Sequence, residues 1–126
     1  MDKKFDVVIV GTGAAGLYAA LNFPESVNIL LVSKRELQLS NSSLAQGGVA
    51  CVLDTVHDSY KLHITDTLIA GKYKNTLSAV EKLVTEGPSD VLKIKDLGVD
   101  FDLNEDGTMC KTLEAGHRRN RIVHHK

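Results

Sequence analysis

Apolar positions along the chain fall into blocks with two different rhythms. Val7 to Val10 is an unbroken β-branched run, which suits a strand buried on both faces of a parallel sheet. Leu17, Ala20 and Leu21 then recur at helical spacing, and Pro24 is expected to end that helix at Phe23. Val27 to Ser33, VNILLVS, repeats the strand signal. Together these blocks predict a βαβ unit. Further on, Asp58 is placed to cap a helix that reaches Ala70 and closes at Gly71. Leu77, Val80, Leu83 and Val84 form a helical stripe from Thr76 to Glu86, and Gly87-Pro88 is expected to break it. Val91, Leu92 and Leu97 predict another short helix, stopped at Gly98. Val99, Phe101 and Leu103 alternate with Asp100 and Asp102, which predicts outward aspartates and a hairpin turning at Asp106-Gly107.

Between the first strand and first helix lies Gly11-Thr12-Gly13-Ala14-Ala15-Gly16, a G-x-G-x-x-G turn. In a strand–turn–helix context this pattern points to a dinucleotide. Gly11 allows the tight turn, Gly13 removes a Cβ where a pyrophosphate approaches, and Gly16 lets the helix pack on the strand. The helix N-terminus offers N–H groups and a partial positive charge to phosphate. The turn by itself leaves NAD, NADP and FAD open. An acid at the end of the second strand usually binds the adenosine ribose. Here that place reads Ser33-Lys34-Arg35, with no carboxylate before Glu36. The basic pair suits a 2′-phosphate, whereas Ser33 and Lys34 could equally serve the ribose side of FAD.

Composition narrows the class. The chain has 126 residues, is 43% hydrophobic and 25% charged, and carries a net charge of -1. That fits one globular unit or part of one, with no overall field favouring nucleic acid or an acidic membrane surface. Cys51 and Cys110 lie far apart without a CxxC pattern and read as reduced thiols of a cytoplasmic protein. The opening Met1-Asp2-Lys3-Lys4 leads into a strand-length apolar run, not into a signal peptide or membrane span. His117, His124 and His125 lack a spaced Cys or acidic partner, so no metal site is expected. Arg118, Arg119 and Arg121 have no interleaved aromatics, which argues against nucleic acid.

The order of GTGAAG, SK and NSSLAQGG resembles the succinate dehydrogenase and fumarate reductase flavoprotein family. DSYKLHITDTLIAG and LEAGHRRNRIVHH narrow the resemblance to its L-aspartate oxidase branch, with its D-S-x-x-x-H-x-x-D-T-L-x-A-G and E-G-G-H-S-x-x-R-I-x-H patterns. The likeness runs over nearly the whole chain. It implies an α/β fold: the N-terminal part of a Rossmann-like FAD-binding domain, incomplete, spanning residues 1–126. It also implies a segment, Asn41-Ser42-Ser43-Leu44-Ala45-Gln46-Gly47-Gly48, that wraps the FAD pyrophosphate and lies beside the flavin ring. Gly47 and Gly48 would let main chain approach the flavin, and Ser42 and Ser43 would offer hydroxyls. By the same resemblance the Tyr60 helix packs near the flavin, with His63 either a cofactor contact or a satisfied core histidine. Asn41 stands where succinate dehydrogenases carry the histidine that links covalently to FAD, so noncovalent FAD is expected.

Glu114 matches the glutamate that lies by the substrate amino group in the L-aspartate oxidase branch. Ala115 departs from the branch's glycine, and Arg118 from its serine. The activity implied is FAD-dependent oxidation of L-aspartate to iminoaspartate, for quinolinate and NAD biosynthesis. Oxygen or fumarate would accept the electrons, and quinolinate synthase is the expected partner. The family's capping domain, its catalytic residues and its helical C-terminal domain are not matched. No catalytic residue is therefore assigned, and the 126 residues alone are expected to be inactive. Two rival readings remain at this stage: a fumarate reductase or succinate dehydrogenase flavoprotein, and a dinucleotide-binding fragment without turnover.

Overall fold

The computed structural model describes residues 3–36 and 39–125. The opening Met1-Asp2, the middle of the polar stretch after Lys34, and Lys126 lie outside the described residues. The chain, read from sequence as part of one domain, divides into two compact units, residues 1–46 and 47–126.

In the first unit, β1 (Val7–Val10) pairs in parallel with β2 (Ile29–Val32), and α1 (Ala14–Leu21) connects them. The register sets Val7 against Ile29 and Val10 against Val32. The expected βαβ unit is therefore present, with shorter elements. Helix α1 stops at Leu21, not Phe23. Phe23 precedes a proline, whose ring disfavours helical backbone in the residue before it. Asn22 closes the helix, and its side-chain amide donates to the Tyr18 carbonyl at 2.7 Å. The expectation that β1 is buried on both faces is not met: Val8 is 55% and Val10 83% exposed. Helix α1 packs on β1, and among the described residues Val8 and Val10 have no such layer over them. Where a polar loop was expected, Asn41–Leu44 forms a one-turn helix, α2, capped by Ser40, whose Oγ accepts from the Ser43 N–H at 3.1 Å.

The second unit is built on two helices and a small antiparallel sheet. Helix α3 spans Tyr60–Ala70 and packs on α4, Leu77–Asp96. The cap of α3 is Ser59, not Asp58: Ser59 Oγ accepts from the Leu62 N–H, while Asp58 is buried and otherwise engaged. Helix α4 is continuous through Gly87-Pro88, which was expected to divide it. Gly87 has no Cβ to crowd the proline ring, so the usual constraint on the preceding residue is weak. The apolar stripe also continues in phase across the proline. Val80, Val84 and Val91 are the buried positions, whereas Leu77 and Leu83 are exposed. Gly98 follows the C-cap with a φ of +104°, which ends the helix as its sequence suggests.

Strand β3 (Val49–Ala50) pairs antiparallel with β4 (Ile122–Val123), and Thr112 bridges to Ile122 on β4. The Asp106-Gly107 turn is present: Leu103 bridges to Met109, and Asp106 accepts from the Thr108 N–H at 2.9 Å. Of the alternating residues before it, Phe101 is buried and both aspartates are outside, but Leu103 is exposed. Cys51, Val91, Phe101 and Val123 form the core, flanked by Leu53, Ile94, Val99 and Met109. Burial pushes the Cys51 thiol up to about 11, so it behaves as a small apolar side chain.

Candidate functional site

In the first unit, the turn between β1 and α1 has the construction a dinucleotide needs. Gly11 has a φ of +111°, a region open to glycine and costly for other residues. A Cβ on Gly16 would collide with the Gly11 carbonyl and touch Ile9, so the helix can lie this close to β1 only with glycine there. Gly13 caps α1 in extended conformation. A Cβ on it would sit 3.1 Å from Ser42 Oγ. Ser42 Oγ accepts from the Ala14 N–H at 3.0 Å, which joins α2 to the first turn of α1. Thr12 is buried and donates to Ser33 Oγ at 2.9 Å. The structure thus brings Gly11, Thr12, Gly13, Ala14, Ala15, Gly16, Ser33 and Ser42 into one place. Lys34, Asn41, Ser43, Leu44, Ala45 and Gln46 are exposed around them. Such a set fits a dinucleotide: a close-approach glycine, a helix N-terminus, and serine hydroxyls that accept within the protein and keep a proton to donate.

In the second unit, Gly47 has a φ of +133° and open space where a Cβ would be. Gly48 is different. A Cβ there would collide with Ile122 and come within 2.7 Å of the Val123 carbonyl and His124 Nε2. Its lack of a side chain is required by β4 packing within the protein itself.

Glu114 stands just past Thr112 and is partly exposed. Its Oε1 accepts from Thr112 Oγ1 at 2.7 Å and lies 3.0 Å from His124 Nε2. The following residue, Ala115, has a φ of +48°.

Sequence reasoning missed a buried ion cluster. Arg121 is fully buried and makes a two-pronged contact with Asp58, Nε to Oδ2 at 2.8 Å and Nη2 to Oδ1 at 2.7 Å. Its Nη1 donates to Asp66 Oδ2 at 2.8 Å, and Asp66 also takes Arg118 Nε and the Arg118 N–H. Burial works against the Arg121 charge, but Asp58 and Asp66 more than offset it and raise its proton affinity. Asp66 is likewise penalised by burial, yet its bonds to Arg118 and Arg121 keep it below the ordinary carboxylate range. Helix α3 is thereby tied to the residue preceding β4. Removing one member of such a pair typically costs about 3–5 kcal/mol, because the partner charge stays buried. The sequence predicts Asp58 as a helix cap and offers Arg121 only as one of three arginines weighed against nucleic-acid binding. The sequence cue was slight: an acid before the Ser59 cap, another inside the helix at Asp66, and an arginine next to Ile122-Val123.

His63 is buried beside this cluster, its ring 5.2 Å from that of His117 in edge contact. Burial first, then the Arg121 and His117 charges, push His63 down to about 4. Its Nδ1 has no hydrogen-bond partner among the described residues. The three C-terminal histidines separate: His117 meets Arg121 at 3.1 Å, His124 meets Glu114, and His125 meets the Asp100 carbonyl. Among the described residues no three His, Cys, Asp or Glu side chains are grouped to hold a metal ion. Nor is any described helix long and apolar enough to cross a membrane. A polar cavity of about 580 Å³ opens between Asp54, His57, Lys111, Arg118 and Arg119, away from Glu114. Lys111 is spent on Asp54 at 3.3 Å, and Arg118 on Asp66.

The glycine turn, parallel pair and crossover helix are those of a dinucleotide-binding α/β protein. The FAD binding domain family matches residues 6–126, and the chain belongs to that family. Its curated relatives include the L-aspartate oxidase of Clostridium perfringens, 46% identical over 100% of this chain and 28% of that protein. The L-aspartate oxidase of Nostoc sp. is 45% identical over 97% of this chain and 21% of its own length. Among solved structures, Mycobacterium smegmatis Sdh1 superposes with a TM-score of 0.85 at 31% identity, over 95% of this chain and 20% of that one. FrdA of E. coli quinol fumarate reductase gives 0.85 at 29%, over 94% and 21%. The chain therefore spans between a fifth and about a quarter of the length of these relatives.

Proposed function

We propose that this chain is the FAD-binding segment of an L-aspartate oxidase, which converts L-aspartate to iminoaspartate. The observation that carries the reading is 46% identity to such an oxidase across all 126 residues. Bound FAD supplies the two-electron acceptor of the reaction. The chain's own residues bind and orient it. The N–H groups at the start of α1 and the hydroxyls of Ser42 and Ser43 meet the pyrophosphate. Ser33 and Lys34 serve the ribose side, and the main chain of Leu44 to Gln46 follows the dinucleotide. Asn41 is an amide and forms no covalent bond to the flavin. Glu114 attracts the substrate ammonium and repels a dicarboxylate that lacks one. In this reading oxygen or fumarate takes up the electrons, the product passes to quinolinate synthase for NAD synthesis, and the compartment is the cytoplasm.

A second reading, a succinate dehydrogenase or fumarate reductase flavoprotein, draws support from the Sdh1 and FrdA likeness. Asn41 and Glu114 weigh against it, as does the lower identity. The test is a flavin titration followed by fluorescence quenching, with Gly13→Val alongside. Quenching should saturate for the native chain and weaken by at least about tenfold in the variant, because the valine side chain fills the phosphate approach. After acid precipitation the flavin should stay in the supernatant. Fluorescence on the pellet, or undiminished binding by Gly13→Val, would overturn the assignment.

A further inference from the structure

The Glu114 carboxylate is partly exposed, with 44% of its side chain open to solvent, so water alone could satisfy it. Instead two protein groups converge on a single oxygen. Thr112 Oγ1 donates to Oε1 at 2.7 Å, and His124 Nε2 lies 3.0 Å from the same atom. No group among the described residues meets Oε2 in this way. Both partners are held by the sheet. Thr112 exchanges backbone bonds with Ile122, its N–H to the Ile122 carbonyl at 2.9 Å and the reverse at 3.2 Å. His124 directly follows β4, and its carbonyl accepts from the Asp102 N–H at 2.9 Å. Room for the imidazole comes from Gly48, where a Cβ would stand 2.7 Å from Nε2. Thr112 and His124 thus converge on one carboxylate oxygen, and Gly48 leaves space for the imidazole.

We propose that His124 is a positioning residue that, with Thr112, fixes Glu114 by one oxygen and presents the other to the amino group of an amino-dicarboxylate substrate. This rests on the reading that Glu114 meets that amino group. With a proton on Nε2 the imidazole donates to Oε1 and orients the carboxylate. The role is then discrimination: an amino acid gains from a fixed carboxylate, and a plain dicarboxylate does not. A carboxylate left to rotate would meet the ammonium in only a fraction of its orientations, and misplacement of this kind costs rate without removing any charge.

The test uses the full-length FAD-loaded protein, with kcat/KM for L-aspartate and the inhibition constant of succinate measured for each variant. His124→Phe should lower kcat/KM for L-aspartate by about tenfold, mainly through KM, and leave succinate within about twofold. His124→Gln, which keeps a donor, should recover part of the loss and guards against a variant that folds poorly. In a Glu114→Gln background the His124→Phe change should add nothing further. A readout independent of turnover is the ¹⁵N resonance of His124 Nε2, which should move in Glu114→Gln. Equal losses for both ligands, or fully additive losses, would make His124 a merely structural residue and overturn the proposal. If Glu114→Gln discriminates but His124→Phe is silent, the positioning role fails and the Glu114 reading stands. If Glu114→Gln leaves discrimination intact, both fail together.

Discussion

Ala115 holds a φ of +48° beside the candidate substrate carboxylate, a conformation that costs an ordinary L residue about 1–2 kcal/mol. The Glu114 carbonyl accepts from the His117 N–H at 3.1 Å across it, so the turn is closed and the strain is retained. Glycine would relieve that strain and give back roughly 0.5–1 kcal/mol in chain entropy. Ala115→Gly is therefore expected to raise the denaturation midpoint slightly, by the equivalent of about 0.5 kcal/mol. A lower midpoint in urea would show that the turn gains more from its methyl group than from relaxation. At this scale the sequence was legible where a residue's role is local. The glycines of the first turn could be read because strand, turn and helix follow one another directly. The reason for Gly48 could not, because the atoms that exclude its side chain come from Ile122 to His124.

Helices α3 and α4 illustrate both sides of that lesson. End signals at Asp58 and Gly71 identified α3 and an apolar stripe identified α4, but Pro88 suggested an end where α4 continues, because a proline's cost is local while the stripe of Val80, Val84 and Val91 is shared with the core. The pairing of Asp58 and Asp66 with Arg121 spans too much sequence for any periodicity to reveal. One consequence for α3 concerns acidity. His63 on this helix has a folded proton affinity near pH 4, below its ordinary value near 6.5, chiefly through burial. His117, which touches it, is lowered as well, again by burial first and then by Arg121. Between those values the unfolded chain binds more protons than the folded one. Stability is thus full above about pH 6.5 and falls as pH drops toward 4, by at most about 1.4 kcal/mol per pH unit for each histidine. Urea midpoints measured across that window should slope downward toward acid, and His63→Phe should flatten part of the slope. Part of the remainder belongs to His117, and toward pH 4 Asp66 adds to it, because its folded carboxyl keeps its charge while the unfolded one takes up a proton. A slope unchanged in His63→Phe would show that the folded ring takes up its proton as readily as the unfolded one.

For the molecule as a whole, the sheet of β1 and β2 leaves Val8, Val10, Leu31 and Val32 between 37% and 83% exposed. Apolar side chains grouped on one sheet form the sort of patch that binds hydrophobic dyes. The chain should enhance the emission of anilinonaphthalene sulfonate in native buffer, and Val8→Ser with Val10→Ser should reduce it. No enhancement by the native chain would mean that this sheet is covered in solution. The α/β class was legible from the first strands and their turn, whereas FAD followed from the resemblance carried by NSSLAQGG and the segments after it. The division at residues 46 and 47 was not legible, because the Ser-, Asn- and Gly-rich stretch that holds it was read as a cofactor-binding segment.

The Arg121 cluster also constrains the order of events during synthesis. Its bonds to Asp58 and Asp66 close loops of 63 and 55 residues. A ribosome releases the two aspartates long before it supplies the cation that neutralises them. During that interval neither carboxylate can leave water cheaply, so α3 has reason to remain undocked even where its backbone has already coiled. Arrival of Arg121 then permits burial of both acids at once, alongside the pairing of β3 with β4. The second unit thus carries a late checkpoint: its helices consolidate only after the segment bearing β4 has been translated.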